Sequence, residues 1–341
     1  MTPLTSIEIC AGAGGQALGL EQAGFEHLAA VEIDPWAAET LRTNRPQWNI
    51  VGPRLADRGP SEGRPGDVHA FDATAFNGQV DLLAGGVPCP PFSIAGKQLG
   101  ASDERDLFPQ ALRLIAECAP RAVMLENVRG LLSPKFDSYR AALAKRLREL
   151  GYVPRWKLLQ ASFYGVPQSR ARAVIVALAP GPAGVFDWPE HHPGAPPGVG
   201  ETLADLMGAN GWEGAQAWSA GAGSIAPTLV GGSKKHGGPD LGPTRARREW
   251  AKLGVDGRGI ASEAPSPGFS GSPRLTVRMA ARIQGFPDEW AFTGRKTASY
   301  RQVGNAFPPP VARTVGVAIA AALRSAGTGE DAGIDPARRA A

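Results

Sequence analysis

Cys89 stands between Pro88 and Pro90, with Pro91 next. An apolar run over 80–84 and the pair Gly85-Gly86 precede it, and Phe92-Ser93 and Gly96-Lys97-Gln98 follow. Proline fixes its own φ and restricts the residue before it, so a thiol here is aimed and has little freedom to relax. The chemistry open to it is nucleophilic attack as a thiolate, which requires a pKa lowered by cationic neighbours. The alternative is a small apolar residue buried in a rigid turn, since free cysteine is among the most buried residue types.

Two other groups sit in comparable positions. Glu126, with Asn127 and Val128 after it, ends an apolar stretch that begins at Pro120. An acid there is costly to bury without a role. In Gln168-Ser-Arg170-Ala-Arg172 the polar residues alternate. An extended chain would point all three the same way, as contacts to an anion or a base edge require. Surface arginines are the alternative.

The elements that must position these groups read as alternating strands and helices. The sequence predicts strands over 5–10, 28–33, 80–84, 120–128, 153–160 and 173–179, and helices over 16–23, 107–118 and 139–150. The turn Ala11-Gly12-Ala13-Gly14-Gly15 follows the first strand. A strand, a glycine-rich turn and a helix open a nucleotide-binding unit, although the usual GxGxxG spacing is absent and a tight strand–helix turn is the alternative. Glu32 ends the second strand, where a carboxylate commonly grips ribose hydroxyls. Asp34, before Pro35, is placed to cap the next helix. Asp67-Val68 or Asp72 could receive an adenine amino group, or Asp72 could be a turn acid. Strand ends carrying Cys89 and Glu126 would share the edge where open α/β sheets bind ligands. Later, Thr276 is placed to cap a helix ending at Gly285, and another helix runs through Ala322.

Composition sets limits. A length of 341 residues, 43% hydrophobic and 20% charged, fits about two globular domains. Cys10, Cys89 and Cys118 form no CxxC pair or disulfide framework, which points to a reducing interior, and no metal site is suggested. No apolar run reaches membrane-span length and the N-terminus carries no basic-then-apolar signal. Residues 181–273 hold 20 Gly and 11 Pro, so periodicity there is poor. From 233 to 258 there are seven Lys/Arg against three Asp/Glu, a net +4 equal to that of the whole chain. Basic residues interleaved with tryptophans and glycine loops suit a nucleic-acid groove, with a partnerless low-complexity insertion as the alternative. Residues after about 325 read as a frayed tail.

Taken in order, Cys10-Ala-Gly-Ala-Gly-Gly15, Glu32, Pro88-Cys89, Glu126-Asn127-Val128, Gln168-x-Arg170-x-Arg172, the helix within 278–287 and Gln302-Val-Gly-Asn-Ala306 resemble the DNA (cytosine-5) methyltransferases. The resemblance covers most of 4–180 and 274–322. It implies an α/β fold, a Rossmann-like S-adenosylmethionine-dependent methyltransferase domain over 1–180 plus 274–325. A smaller, irregular target-recognition domain over 181–273 would be inserted near the C-terminus, with 326–341 as a disordered tail. Cys89, Glu126 and Arg172 would be catalytic: the thiolate adds to C6, Glu126 holds or protonates N3, and Arg172 contacts O2 of a flipped cytosine. Cys10, Ala11, Gly12, Gly14, Gly15, Glu32, Ile33, Asp67, Val68, Pro88, Leu107, Asn305 and Ala306 would hold the cofactor, leaving S-adenosylhomocysteine as product. Ser93, Asn127, Gln168, Arg170, Lys234, Lys235 and Arg247 would meet double-stranded DNA. The resemblance further implies a bacterial, cytoplasmic, nucleoid-associated monomer, with a cognate restriction endonuclease acting separately if one exists.

Departures from the family pattern are Glu8 for Asp, Cys10 for Phe, Pro90 for Gln and Met279 for Glu. A tRNA cytosine-5 methyltransferase of the same fold is the nearest alternative. That branch carries a Cys-Phe-Thr element in its insert, and this insert has no cysteine. A catalytically silent DNA-binding relative and a nucleotide-dependent oxidoreductase are further alternatives.

Overall fold

Seven strands and eleven helices organise the chain in a computed structural model that describes residues 2–57, 63–88, 106–232 and 238–326. The strands are β1 Leu4–Ile9, β2 Phe25–Val31, β3 Ile50–Val51, β4 Leu82–Gly85, β5 Ala122–Val128, β6 Val153–Gln160 and β7 Ala171–Leu178. The helices are α1 Gly15–Gln22, α2 Pro35–Asn44, α3 Phe108–Cys118, α4 Asp137–Glu149, α5 Pro180–Val185, α6 Val199–Met207, α7 Ala215–Gly221, α8 Thr244–Lys252, α9 Val277–Ile283, α10 Lys296–Asn305 and α11 Pro309–Ala326. All strands lie in one sheet, in the order β3-β2-β1-β4-β5-β7-β6. The first five are parallel to their neighbours, and β7 runs antiparallel to both β5 and β6.

Both faces of the sheet are covered, so its central strands read as apolar runs rather than clean alternations. The period of two still assigns each residue to a face. Ile7, Ile9, Leu83, Leu125 and Ile175 pack with Phe108, Leu114, Leu143 and Leu147 of α3 and α4. Leu82, Ala84, Met124, Val174 and Val176 pack on the other face with Leu20 of α1 and Val315, Ile319 and Leu323 of α11. The stretch Lys296–Ala326 is long and apolar enough to pass for a membrane span, but 67% of its apolar window is buried within the protein. It serves as core.

The Gly/Pro-rich segment is more regular than its composition implies. In α6 the buried residues Val199, Leu203 and Met207 recur every four positions, one face of a helix. They join Trp250 in a cluster that also holds Leu18, Leu41, Met279, Trp290 and Tyr300. The segment is therefore packed onto the flank of the sheet, continuous with its core. Thr276 caps α9 through its hydroxyl, and the Met279 sulfur accepts the Thr276 N–H at 3.3 Å, filling the place a glutamate takes in a capping box. Helix α11 runs through Ala326, four residues beyond the sequence expectation.

Candidate active site

Strand β5 delivers Glu126 at its carboxyl end, 9% exposed. Antiparallel pairing sets Val128 opposite Arg172, and Glu126 opposite Val174, so Arg172 is the diagonal neighbour of Glu126 on the same face. Its Nε lies 2.8 Å from Glu126 Oε1. Burial raises the Glu126 pKa, while Arg172 and then Arg170 oppose that rise. Burial pulls Arg172 below its ordinary value, and Glu126 counters it. The pair is thus a buried carboxyl whose rise in pKa is opposed by the guanidinium fixed beside it.

Asn127, expected to meet the substrate, faces inward instead. Its amide donates to Val87 O at 2.9 Å and its carbonyl accepts the Val128 N–H at 2.8 Å. A carboxamide with both ends satisfied by backbone pins β5 to the start of the cysteine loop, two residues before Cys89. Cys89 and Ser93 lie outside the described residues; Pro88, the last before them, is exposed.

Beside Glu126 opens a cavity of about 260 Å³ lined by Glu8, Cys10, Gly12, Gln16, Glu32 and Asn305, among others. Ala11, Gly15 and Ala306 also line it. Cys10 closes β1 with φ +51, a left-handed conformation uncommon for a residue with a Cβ. Gly12 follows at φ +56, and a Cβ there would meet nothing within 4 Å. Glu32 braces this turn, accepting the Gly12 N–H at 2.7 Å and the Asp34 N–H at 2.6 Å. Asp34 caps α2 as expected, accepting from Trp36 and Ala37.

Several expected cofactor residues have other work. Gly14 turns its α-carbon toward the core, where a Cβ would come within 2.7 Å of Leu41 and 2.9 Å of Trp290. Asp67 closes its own loop, accepting the N–H groups of Gly63 and His69. Asp72 accepts from Thr74 as a turn acid. Val68 is core, Leu107 is half-buried before α3, Ile33 is exposed, and none of these or Pro88 is among the residues lining the cavity. Residues that sequence reasoning did not assign line it instead: Glu8, Gln16, Arg301, Gln302 and Phe307. The sequence signal for Glu8 is plain in retrospect, since an acid inside an apolar strand needs a reason.

Gln168 and Arg170 do not share the outlook of Arg172. They lie just before β7, Gln168 in a β-bridge to Ala226, and there their side chains are taken up by buried contacts with other elements. Arg170 is 1% exposed and donates to three main-chain carbonyls: Leu229 at 2.9 Å, Gly304 at 3.1 Å and Ala306 at 2.9 Å. Gln168 donates to Gln284 at 2.6 Å and accepts the Leu229 N–H at 2.9 Å. Arg170 ties the sheet to the Gly/Pro-rich segment and to α10, and Gln168 ties it to that segment and to the end of α9. In that segment Lys234 and Lys235 lie outside the described residues. Arg247 is half-buried on α8, near Thr244 and Gly257, while Arg245 and Arg248 are exposed.

The fold and site together are a doubly covered α/β sheet with a carboxyl–guanidinium pair and a glycine-turn cavity at one strand edge. The C-5 cytosine-specific DNA methylase family matches residues 4–321, and the chain belongs to that family. It is a DNA cytosine-5 methyltransferase. The chain is 57% identical to the Type II methyltransferase M.NaeI of Lentzea aerocolonigenes, over 98% of this chain and 79% of that protein. It is 54% identical to the Type II methyltransferase M.NgoMIV of Neisseria gonorrhoeae, over 94% and 98%. Among solved structures, a DNA modification methyltransferase from an E. coli prophage superposes with TM-score 0.63 at 22% identity, covering 94% of this chain and 99% of that one. The S. pombe Dnmt2 methyltransferase superposes with TM-score 0.58 at 18% identity, covering 96% and 100%. These two share the fold.

Proposed function

We propose that the chain methylates C5 of cytosine within a specific double-stranded DNA sequence, with S-adenosylmethionine as donor, Cys89 as nucleophile and Glu126 and Arg172 as the groups that meet the base. The observation that carries this is the ion pair of Arg172 with Glu126, a residue that lines the Gly12 cavity. C5 of cytosine is a poor nucleophile. Addition of the Cys89 thiolate at C6 pushes electrons to N3 and makes C5 enamine-like. Glu126, protonated at that step, gives its proton to N3 as that charge develops, and Arg172 beside it orients the base through O2. The base must leave the duplex to reach them.

The cavity fits a nucleotide cofactor. Its volume is at the small end of ligand pockets, its floor is a turn open to close backbone approach, and buried carboxylate and carboxamide oxygens of Glu8 and Gln16 lack partners among the described residues. Glu32, the Gly12 turn, Asn305 and Ala306 would hold S-adenosylmethionine, which supplies an electrophilic methyl on sulfur. After transfer, loss of the C5 proton and elimination of Cys89 restore the ring, and the N3 proton returns to Glu126.

The segment 181–273 is read as the target-recognition unit and its basic residues, including Lys234, Lys235 and Arg247, as phosphate contacts. The enzyme would work as a monomer in the bacterial cytoplasm, alone or beside a separate endonuclease of the same specificity. Labelled S-adenosylmethionine incubated with plasmid DNA, beside a Cys89→Ser variant, tests the reading. Label in DNA that disappears with the variant is expected; label unaffected by it would defeat the proposal.

A further inference from the structure

Glu8 is the buried acid that the mechanism above leaves unused. It is 0% exposed, and neither carboxyl oxygen has a hydrogen-bond partner among the described residues. It lies on the α1 and α11 face of the sheet, opposite Ala84 of β4, which in turn lies opposite Met124 of β5. Glu126 is two residues past Met124, so it emerges on the same face as Glu8. Strand β4 runs between the strands that carry the two acids, and a Cβ on Gly86, just past its end, would sit 3.4 Å from Glu126 Oε2. Both carboxyls line the same cavity.

We propose that Glu8 stores the proton that Glu126 delivers to the substrate ring, making Glu8 a positioning residue for the methyl transfer. This rests on the reading of Glu126 as the group that meets N3. A buried carboxylate without a hydrogen bond or counter-ion from the protein is costly, so Glu8 favours its protonated form in the ligand-free protein. Burial raises its pKa and the nearby Glu126 raises it further. The other titratable groups lining the cavity are Cys10, Glu32, Asp34 and the cation Arg301; among the described residues Glu8 makes no hydrogen bond or ion pair with any of them, and Arg170 and Arg172 act on Glu126. Arg172, conversely, favours the charged form of Glu126, the wrong form for protonating N3. One proton between two acids resolves the conflict.

The balance is as follows. With the positively charged methyl donor bound in the cavity, Glu8 would be stabilised as a carboxylate, and its carboxyl would give its proton to the Glu126 carboxylate. Glu126 then passes it to N3 as the S–C6 bond forms. When that bond breaks and the C5 proton has left, N3 gives its proton back to Glu126, and Glu8 recovers it as the cavity empties. No external acid is consumed.

The test uses the full-length enzyme in three states. Infrared difference spectra of ligand-free wild type against Glu8→Gln at neutral pH should show a protonated glutamic carboxyl only in wild type. Single-turnover methylation by Glu8→Gln should fall about tenfold at pH 8 and recover toward pH 6, a displacement of its alkaline limb by about one pH unit. Cofactor affinity should fall by no more than about tenfold, the factor that one unit of pKa displacement implies by linkage. An absent carboxyl band, or an unmoved pH profile, overturns the proposal. So does cofactor binding lost with the profile intact, which would make Glu8 a ligand instead. If Glu8→Gln fails to fold, Glu8→Asp decides: the glutamic band must give way to an aspartic one, and an unchanged band overturns the idea. An active Glu126→Gln enzyme would instead sink the underlying reading. An inactive one beside a normal Glu8→Gln sinks only the proton store.

Discussion

Arg172 Nε and Glu126 Oε1 are 2.8 Å apart although they come from strands of opposite direction, and that reversal is what lets them meet. A parallel strand in the place of β7 would start where β5 starts and would carry its arginine away from the cavity edge. The pair is mostly buried, so replacing Arg172 by Ala leaves an uncompensated acid. We expect kcat/KM to drop by about 10²–10³ and the protein to lose about 3–5 kcal/mol. Arg172→Lys should recover stability more than activity, because one ammonium cannot reproduce a planar fork. Equal recovery of both would contradict this.

Arg170 should behave differently despite lying two residues away. Its three carbonyl contacts are structural. Arg170→Ala should lower stability by about 3 kcal/mol or more, a Tm loss on the order of 5–10 °C. Thermal unfolding monitored by circular dichroism checks this, and a Tm within a degree of wild type would refute it.

Two glycines of one turn should separate binding from folding. Gly14→Ala meets Leu41 and Trp290 at φ +86 and should destabilise by about 2–4 kcal/mol. Gly12→Ala meets open space and should cost about 1 kcal/mol of stability while weakening cofactor binding far more. Urea unfolding and calorimetric titration of both variants would show the split, and parallel losses would argue against it.

Glu8 also predicts a pH dependence of stability. Its folded-state pKa lies above its ordinary value of 4.5, so the folded chain binds more protons than the unfolded chain above that pH. Its contribution is therefore fully present below about pH 4.5 and is lost as pH rises through the folded-state pKa. Glu8→Gln should gain stability relative to wild type on going from pH 5 to pH 8. Denaturant midpoints across that range measure it, and a gap that narrows with rising pH has the wrong sign.

Much of this was legible in the sequence, and the limits are instructive. Strand β6 falls on the expected residues, and Thr276 and Asp34 cap the helices they precede, because those signals are local. Glu126 and Glu32 were visible as acids ending apolar runs. Arg170 was not readable as an anchor, because its partners are 59 to 136 residues away and are backbone atoms that no residue type announces. Gly14 looked like part of a ligand cradle, because only the fold brings Trp290 against it. Helix α6 was hidden by neighbouring glycines and prolines, although Val199, Leu203 and Met207 carry its period.

The basic loop offers a salt test. If Lys234 and Lys235 each neutralise one phosphate, replacing both by Ala should reduce the slope of log K against log salt by about 1.8. Fluorescence anisotropy with a duplex at several salt concentrations would show it, and an unchanged slope would rule out phosphate contact by these lysines.

Gly304 and Gly231 touch so closely that a Cβ on Gly304 would fall 2.4 Å from the Gly231 nitrogen. Asn305, in the cavity wall, donates to the next carbonyl, Gly232 O, at 3.2 Å. Gly231 and Gly232, which precede the lysines proposed to touch DNA, are thus welded to the wall of the cavity that would hold the methyl donor. For anyone exchanging specificities between relatives, the whole segment is not a portable cassette. A graft bounded at its outer ends would have to rebuild this weld, whereas one confined to the loop beyond Gly232 would inherit it intact.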